Sequence, residues 1–196
     1  VALRDCPELM NPQRTLLGAE QEQWLARSWS TQHPWNLLAQ QTLMARLAGR
    51  NRQGDVTYWT DGWDGYAPAR NRLLSTAAAL KVPGLVALGG DVHAHYVAQL
   101  KADYDDLRSP IVGAEFCGTS ISSRGPAQSR LDAARADNPH LLVANATRRG
   151  SVHFIVDAHT LQADLRAVDD ARQVNSPVRS AGRFVVESGR PEVHPA

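Results

Sequence analysis

Gly89-Gly90-Asp91-Val92-His93-Ala94-His95 carries the most concentrated set of chemically able groups in this chain. In an extended backbone, residues two apart project to the same side, so Asp91 and His93 would leave it together. A carboxylate beside an imidazole is a natural pair of metal ligands, hard oxygen next to borderline nitrogen. Gly89 and Gly90 lack a Cβ, which lets another backbone, a metal or a phosphate come close. The competing reading makes Asp91 a helix N-cap and His93 and His95 polar loop residues. His95 fits a helix-face histidine that orients a ligand better than it fits a ligand itself.

Two further stretches could do chemistry. Asp61-Gly62-Trp63-Asp64-Gly65-Tyr66-Ala67-Pro68-Ala69-Arg70 places two acids, two aromatics and an arginine within ten residues. Arg70 could offer its planar fork to a phosphate; equally, Asp64 could cap a helix while Arg70 pairs with an acid. Glu115-Phe116-Cys117-Gly118-Thr119-Ser120-Ile121-Ser122-Ser123 sets hydroxyls after a glycine. Such hydroxyls can contact phosphate, though they more often close local turns, and Cys117 between Phe116 and Gly118 reads as buried. The sequence holds no G-x-S-x-G elbow, Walker A loop or dinucleotide fingerprint.

The elements that must position these groups read as an α/β chain. Residues 1–15 form a loop or extended arm. An amphipathic helix opens at Leu16 with Leu17, Trp24 and Leu25 on one face, and Thr31-Gln32-His33-Pro34 breaks it. Trp35–Gln41 suits a buried strand or a short helix. A second helix, capped by Asp64 with Pro68 in its first turn, carries Leu73, Leu74, Ala77 and Leu80 along one stripe. Gly84-Leu85-Val86-Ala87-Leu88-Gly89-Gly90 is a continuous apolar run, the signature of a central strand buried on both faces. His95–Tyr104 is expected to be helical and residues 110–117 to form a strand. A loop with a short helix spans 122–139, and short alternating strands from residue 140 onward predict an antiparallel meander.

Composition bounds the function classes. The 196 residues suffice for one good core or two small ones, and 43% are apolar against 21% charged, a globular balance. A formal net charge of +1 argues against a polybasic surface for nucleic acid or anionic lipid. No apolar run approaches the ~20 residues of a membrane span. Cys6 and Cys117 allow at most one disulfide and leave the redox compartment open. Val1-Ala2-Leu3-Arg4-Asp5-Cys6-Pro7 reads as mid-protein loop, so we expect either a processed chain or a piece of a larger one.

Five strings, in order and spanning nearly the whole chain, resemble the C-terminal half of the catalytic domain of PhoD-like alkaline phosphatases, within the calcineurin-like metallophosphoesterases. They are Leu16-Leu17-Gly18-Ala19-Glu20-Gln21-Glu22-Gln23-Trp24-Leu25; Asp61-Gly62-Trp63-Asp64-Gly65-Tyr66 with Pro68 and Arg70; Gly89-Gly90-Asp91-Val92-His93; Glu115-Phe116-Cys117-Gly118-Thr119-Ser120; and Phe184-Val185-Val186-Glu187-Ser188-Gly189-Arg190-Pro191. The resemblance implies part of a two-sheet αββα sandwich, hydrolysis of phosphate mono- or diesters, and a cluster of iron(III) and calcium, with zinc, manganese or magnesium as alternatives. It maps the metal ligands onto Asp91, the better calcium ligand, and His93, the better iron ligand. In such a site Arg70 would stabilise the transferring phosphoryl group, and His95 would orient a ligand or protonate the leaving group. Export to the periplasm or beyond is implied on the same basis.

The resemblance also implies ligands from an N-terminal half: a thiolate after a first strand, an Asp–Tyr pair, and an Asn or acid in a W-D-D-H-E-like stretch. None of these stands before Leu16, and Cys6 in its proline-flanked arm does not match the thiolate. Two ligands do not hold a multi-metal cluster, so the chain by itself is expected to bind metal weakly. The expectation is therefore a catalytic-domain part that associates with an N-terminal portion, possibly as a separate chain; the alternative is a degenerate, non-catalytic binding or structural module.

Overall fold

The computed structural model describes residues 1–106 and 108–196. Among the described residues there are three α-helices, α1 (Ala19–Ser28), α2 (Ala67–Ala79) and α3 (Gln128–Ala134). The strands are β1 (Asn36–Ala39), β2 (Gly49–Arg50), β3 (Val56–Thr57), β4 (Leu85–Gly89), β5 (His95–Lys101), β6 (Ile111–Cys117), β7 (Leu141–Asn145), β8 (Arg149–Val156), β9 (Thr160–Val168), β10 (Val178–Glu187) and β11 (Val193–Pro195). A five-stranded mixed sheet has the order β1-β4-β6-β5-β7, with β1, β4 and β6 parallel and β5 antiparallel to both β6 and β7. The second sheet, β11-β10-β9-β8, is antiparallel throughout. The expected α/β class with a C-terminal antiparallel meander is what forms, except that the first strand expected in that meander, β7, joins the mixed sheet beside β5.

Side chains of the mixed sheet alternate between two cores, because successive residues of a strand face opposite ways. Leu85 and Ala87 of β4, with Tyr96, Ala98 and Leu100 of β5, pack under Leu25, Leu73, Leu74, Ala77 and Leu131 of the helices. Val86, Val97, Ala114 and Phe116 point the other way, against Leu161, Ala163, Leu165, Phe184 and Val186 of the antiparallel sheet. The mixed sheet is thus buried on both faces, which is why Leu85–Leu88 carries no polar residue. Gln162 and Glu187 of β9 and β10 lie exposed on the far side of the second sheet.

Three expectations need correction. His95–Tyr104 is not a helix: His95–Lys101 is the interior strand β5, paired on both sides. An apolar run that must satisfy two faces has no polar stripe, and its spacing does not separate strand from buried helix. Residues 1–15 are not extended, but wind through 3-10 turns at Leu3–Asp5 and Pro7–Met10 that bury Leu9. Asp64 caps no helix; it sits in a 3-10 turn, Trp63–Tyr66, ahead of α2. Cys6 and Cys117 are both free thiols.

The close approach allowed by the paired glycines is real at one of them. The carbonyl of Thr42, in the loop leaving β1, would lie 2.4 Å from a Cβ on Gly89, and Gln40 Nε2 would lie 2.8 Å away. At Gly90 the nearest atom would be Gln41 O, at an ordinary 3.7 Å. We therefore expect Gly89→Ala to lower unfolding stability by about 1–3 kcal/mol through overpacking, and Gly90→Ala to stay within about 0.5 kcal/mol of the parent. Urea denaturation of the two variants measures both.

Candidate functional site

The parallel strands β1, β4 and β6 end side by side, and loops 40–48, 90–94 and 118–125 leave from that edge. Ligands of open α/β sheets gather at such an edge. Backbone bonds lock the three ends together: Gln40 N–H donates to Leu88 O at 3.0 Å, Gly90 N–H to Gln41 O at 3.1 Å and Gly118 N–H to Gly89 O at 2.9 Å.

Asp91 and His93 are not in extended backbone, as their spacing suggested. Both have left-handed dihedrals, φ 67° at Asp91 and φ 56° at His93, where β-carbon sterics disfavour most residues. Val92 N–H donates to Gly90 O at 2.8 Å, closing a three-residue turn around Asp91 in its rare, strained hand. Outliers of this kind, here on either side of Val92, persist only where surrounding structure enforces them, and they concentrate at functional sites. Asp91 is exposed and His93 partly so. His93 Nδ1 lies 3.0 Å from the carbonyl oxygen of Arg124. A carbonyl only accepts, so Nδ1 carries a proton, and the lone pair of the neutral ring is then the one on Nε2. That is the usual state of a metal-ligating histidine.

Arg70 is elsewhere in role. It is 3% exposed, donates to Asp64 Oδ1 at 2.6 Å and to Met44 O at 3.1 Å, and lies over the Tyr104 ring. Asp64 Oδ2 in turn accepts from Leu47 N–H at 2.9 Å. Of its two sequence readings, the pairing with a nearby acid is the one realised. His95 lies between the sheets, 1% exposed, and among the described residues neither ring nitrogen has a well-formed hydrogen bond. Burial pushes its pKa down to about 4, the Arg166 backbone offsetting only part of that and the Arg149 charge adding to it. Its ring is neutral at neutral pH and sealed within the layer. Of the hydroxyls of the third stretch, Ser120 Oγ closes a local turn by donating to Ser123 O at 2.6 Å, while Thr119 Oγ1 donates to the distant Arg148 O at 3.2 Å. Cys117 donates its thiol to Gly90 O at 3.3 Å, and burial, with Glu115 and Asp91 nearby, holds its pKa well up, so it stands here as a protonated thiol.

Glu115 is the group whose weight the sequence conceals. Fully buried, it accepts from Met44 N–H and Ala45 N–H, both at 2.7 Å, and so bolts loop 40–48 across β6. Gln40 joins the same corner, its Oε1 accepting from Trp63 Nε1–H at 3.0 Å. Burial pushes the Glu115 carboxyl up to about 7, partly offset by the two backbone donors and Arg70. Arg124 and Arg149, which hold the loop beside His93, also carry no local motif.

Among the described residues no three His, Cys, Asp or Glu side chains gather as a complete metal site. The free Nε2 of His93 and the exposed carboxylate of Asp91 fit two ligands of a site that needs more.

A family model described as PhoD-like phosphatase matches residues 2–165. The chain belongs to the PhoD-like phosphatase family. It is 38% identical over 185 residues to alkaline phosphatase D of Bacillus subtilis strain 168, covering 92% of this chain and 31% of that protein. Its fold matches a solved structure of PhoD with a TM-score of 0.86 at 34% identity, over 96% of this chain and 37% of the other. The chain therefore spans about a third of the length of each of these PhoD-like relatives.

A carboxyl whose pKa is raised on folding binds its proton more tightly in the fold. Its contribution to stability is intact below about 4.5 and is lost as the pH rises toward about 7. His95 and His140, both lowered to about 4 by burial, act in the opposite sense, losing stability as the pH falls below 6.5. Glu115→Gln isolates the first effect. It should destabilise by about 1–3 kcal/mol near pH 5, where one of the two N–H groups loses its acceptor. The gap from the parent should narrow as the pH rises to 7, as followed by urea melts across that range.

Proposed function

We propose that this chain forms the C-terminal part of the catalytic domain of a metal-dependent phosphoric ester hydrolase, with Asp91 and His93 as its ligands to the metal centre. The observation that carries the reading is the strained 90–94 turn at the parallel strand ends, where the Arg124 carbonyl engages Nδ1 of His93 and leaves Nε2 as the nitrogen for a ligand, in a chain similar to alkaline phosphatase D. Metal ions there supply charge neutralisation on the phosphoryl oxygens and a more acidic attacking water. Calcium suits the Asp91 carboxylate and iron(III) the His93 imidazole; zinc, manganese and magnesium are the alternatives. Monoesters and diesters share this chemistry, and both are candidate substrates. Arg70 and His95, expected from the sequence to stabilise charge and pass a proton, act in this reading by holding the walls of the site. Their burial and the Asp64 pairing of Arg70 support that change of role.

The remaining ligands come, in this reading, from an N-terminal portion of the same domain, on the same chain or another. Support lies along one margin of the sandwich. β1 and β8 are outermost strands of their sheets, and Trp35 Nε1–H donates to Asp157 O at 2.6 Å, bringing that margin of the two sheets together. Leu37 of β1 is 49% exposed, Ile155 of β8 is 57% exposed and Trp24 of α1 is 58% exposed. A groove of about 500 Å³ runs between α1 and β1, lined by Trp24, Leu25, Trp29 and Leu37. Soluble proteins seldom leave unblunted apolar sheet edges bare. Among the described residues no helix is long and apolar enough to cross a membrane; export to the periplasm or beyond is proposed from the family alone.

With the N-terminal portion present, the protein should hydrolyse p-nitrophenyl phosphate and retain metal through gentle purification. His93→Ala and Asp91→Asn should each lower kcat/KM by at least about 100-fold, the scale on which disturbed metal sites lose activity. Full activity in His93→Ala removes that residue from the site. A metal-free, inactive assembly returns the chain to the non-catalytic module. Co-purification with the N-terminal portion is expected, and a well-behaved 21 kDa monomer in its presence overturns the partner reading.

A further inference from the structure

His93 is held in its strained conformation by main-chain atoms, and one side chain gathers them. Arg149, the first residue of β8, donates from Nη1 to Ser123 O at 2.6 Å, to Ser120 Oγ at 2.9 Å and, at 3.4 Å, to the carbonyl of His93 itself. Its Nη2 donates to Ala146 O. One guanidinium thus ties together loop 118–125, the 146–148 turn and the backbone of His93. The carbonyl that receives the Nδ1 proton of His93 belongs to Arg124, one residue beyond Ser123. Gly125 follows, packed so closely that a Cβ there would lie 2.4 Å from His93 O and 3.3 Å from Arg149 Nη1.

We propose that Arg149 is a positioning residue that sets the tautomer and orientation of the His93 ring, by fixing the loop whose Arg124 carbonyl accepts from Nδ1. The planar fork of arginine suits this, because it serves several oxygens in fixed directions. Lysine, a point donor on a flexible stem, would reach one of these oxygens and leave the others. Nothing in the mutual spacing of residues 93, 124 and 149 announces the link, which rests on the Proposed function only for its consequence, metal retention.

The test uses the protein with its N-terminal portion, metal-stripped and selectively ¹⁵N-labelled at histidine. Ring nitrogen shifts are read above the histidine titration range, with the His93 signals assigned from a His93→Asn spectrum. The parent should show the Nδ1–H form of His93 alone. In Arg149→Ala and Arg149→Lys a second population, protonated at Nε2, should appear, and metal affinity should fall about 10-fold or more. Gly125→Ala keeps Arg149 but displaces the loop, and should give the same mixture. Should Arg149→Ala fail to fold, the Lys and Gly125 variants carry the test. An unmixed Nδ1–H tautomer in both folded arginine or glycine variants overturns the proposal. The tautomer readout does not depend on turnover: an inactive parent with a single tautomer that mixes in the variants refutes the hydrolase reading and leaves the role of Arg149 standing.

Discussion

A fully buried carboxylate holds the architecture of the strand-end edge. Glu115 lies in the middle of a strand that must face helices on one side and a second sheet on the other, and it meets two backbone N–H groups of loop 40–48 at 2.7 Å. Without an acceptor those groups would be buried unpaired, a penalty of about 1–3 kcal/mol each. Because the carboxylate reaches both, loop 40–48 can fold back over the sheet, bring Thr42 against Gly89 and deliver Met44 O to Arg70. The Asp64–Arg70 pair then closes the same buried corner. A paired buried ion couple is no guarantee of stability, but one with each member also bonded to backbone defines where the chain must pass.

What this edge presents is a loop held in an unfavourable backbone state. Asp91 and His93 take left-handed dihedrals with no glycine to relieve them, and the enforcement comes from carbonyls of neighbouring loops. The structure thereby exchanges local ease for a fixed imidazole with one nitrogen committed and the other available. The same layer that fixes the ring seals His95 two residues later, since β5 begins there and its alternate side chains point between the sheets. Neighbouring histidines in one motif thus end in opposite environments.

Much of the frame was legible from the chain alone. The Leu85–Gly89 strand showed in its unbroken apolar run, α2 in the stripe Leu73, Leu74, Ala77, and β7 to β10 in their alternation. What was misread had two faces to satisfy or lacked local punctuation. β5 carries apolar residues toward both cores, which erases the period that distinguishes strand from helix. The 3-10 turns of residues 1–15 are held by distant partners, among them Val1 O accepting from Tyr58 N–H at 2.9 Å.

Residue types and their order were enough to place this chain in the PhoD-like phosphatase family and to offer Asp91 and His93 as candidate donors, because donor chemistry belongs to side chains and survives in a linear string. The tertiary structure alone decided which way those donors are held, that Arg70 is consumed by Asp64, that His95 is neutral and enclosed, and that Glu115 and Arg149 organise the loops. The reason is physical: these outcomes depend on main-chain oxygens and N–H groups brought together across dozens of residues. Every residue but proline carries both groups, so no residue's identity advertises where they will meet.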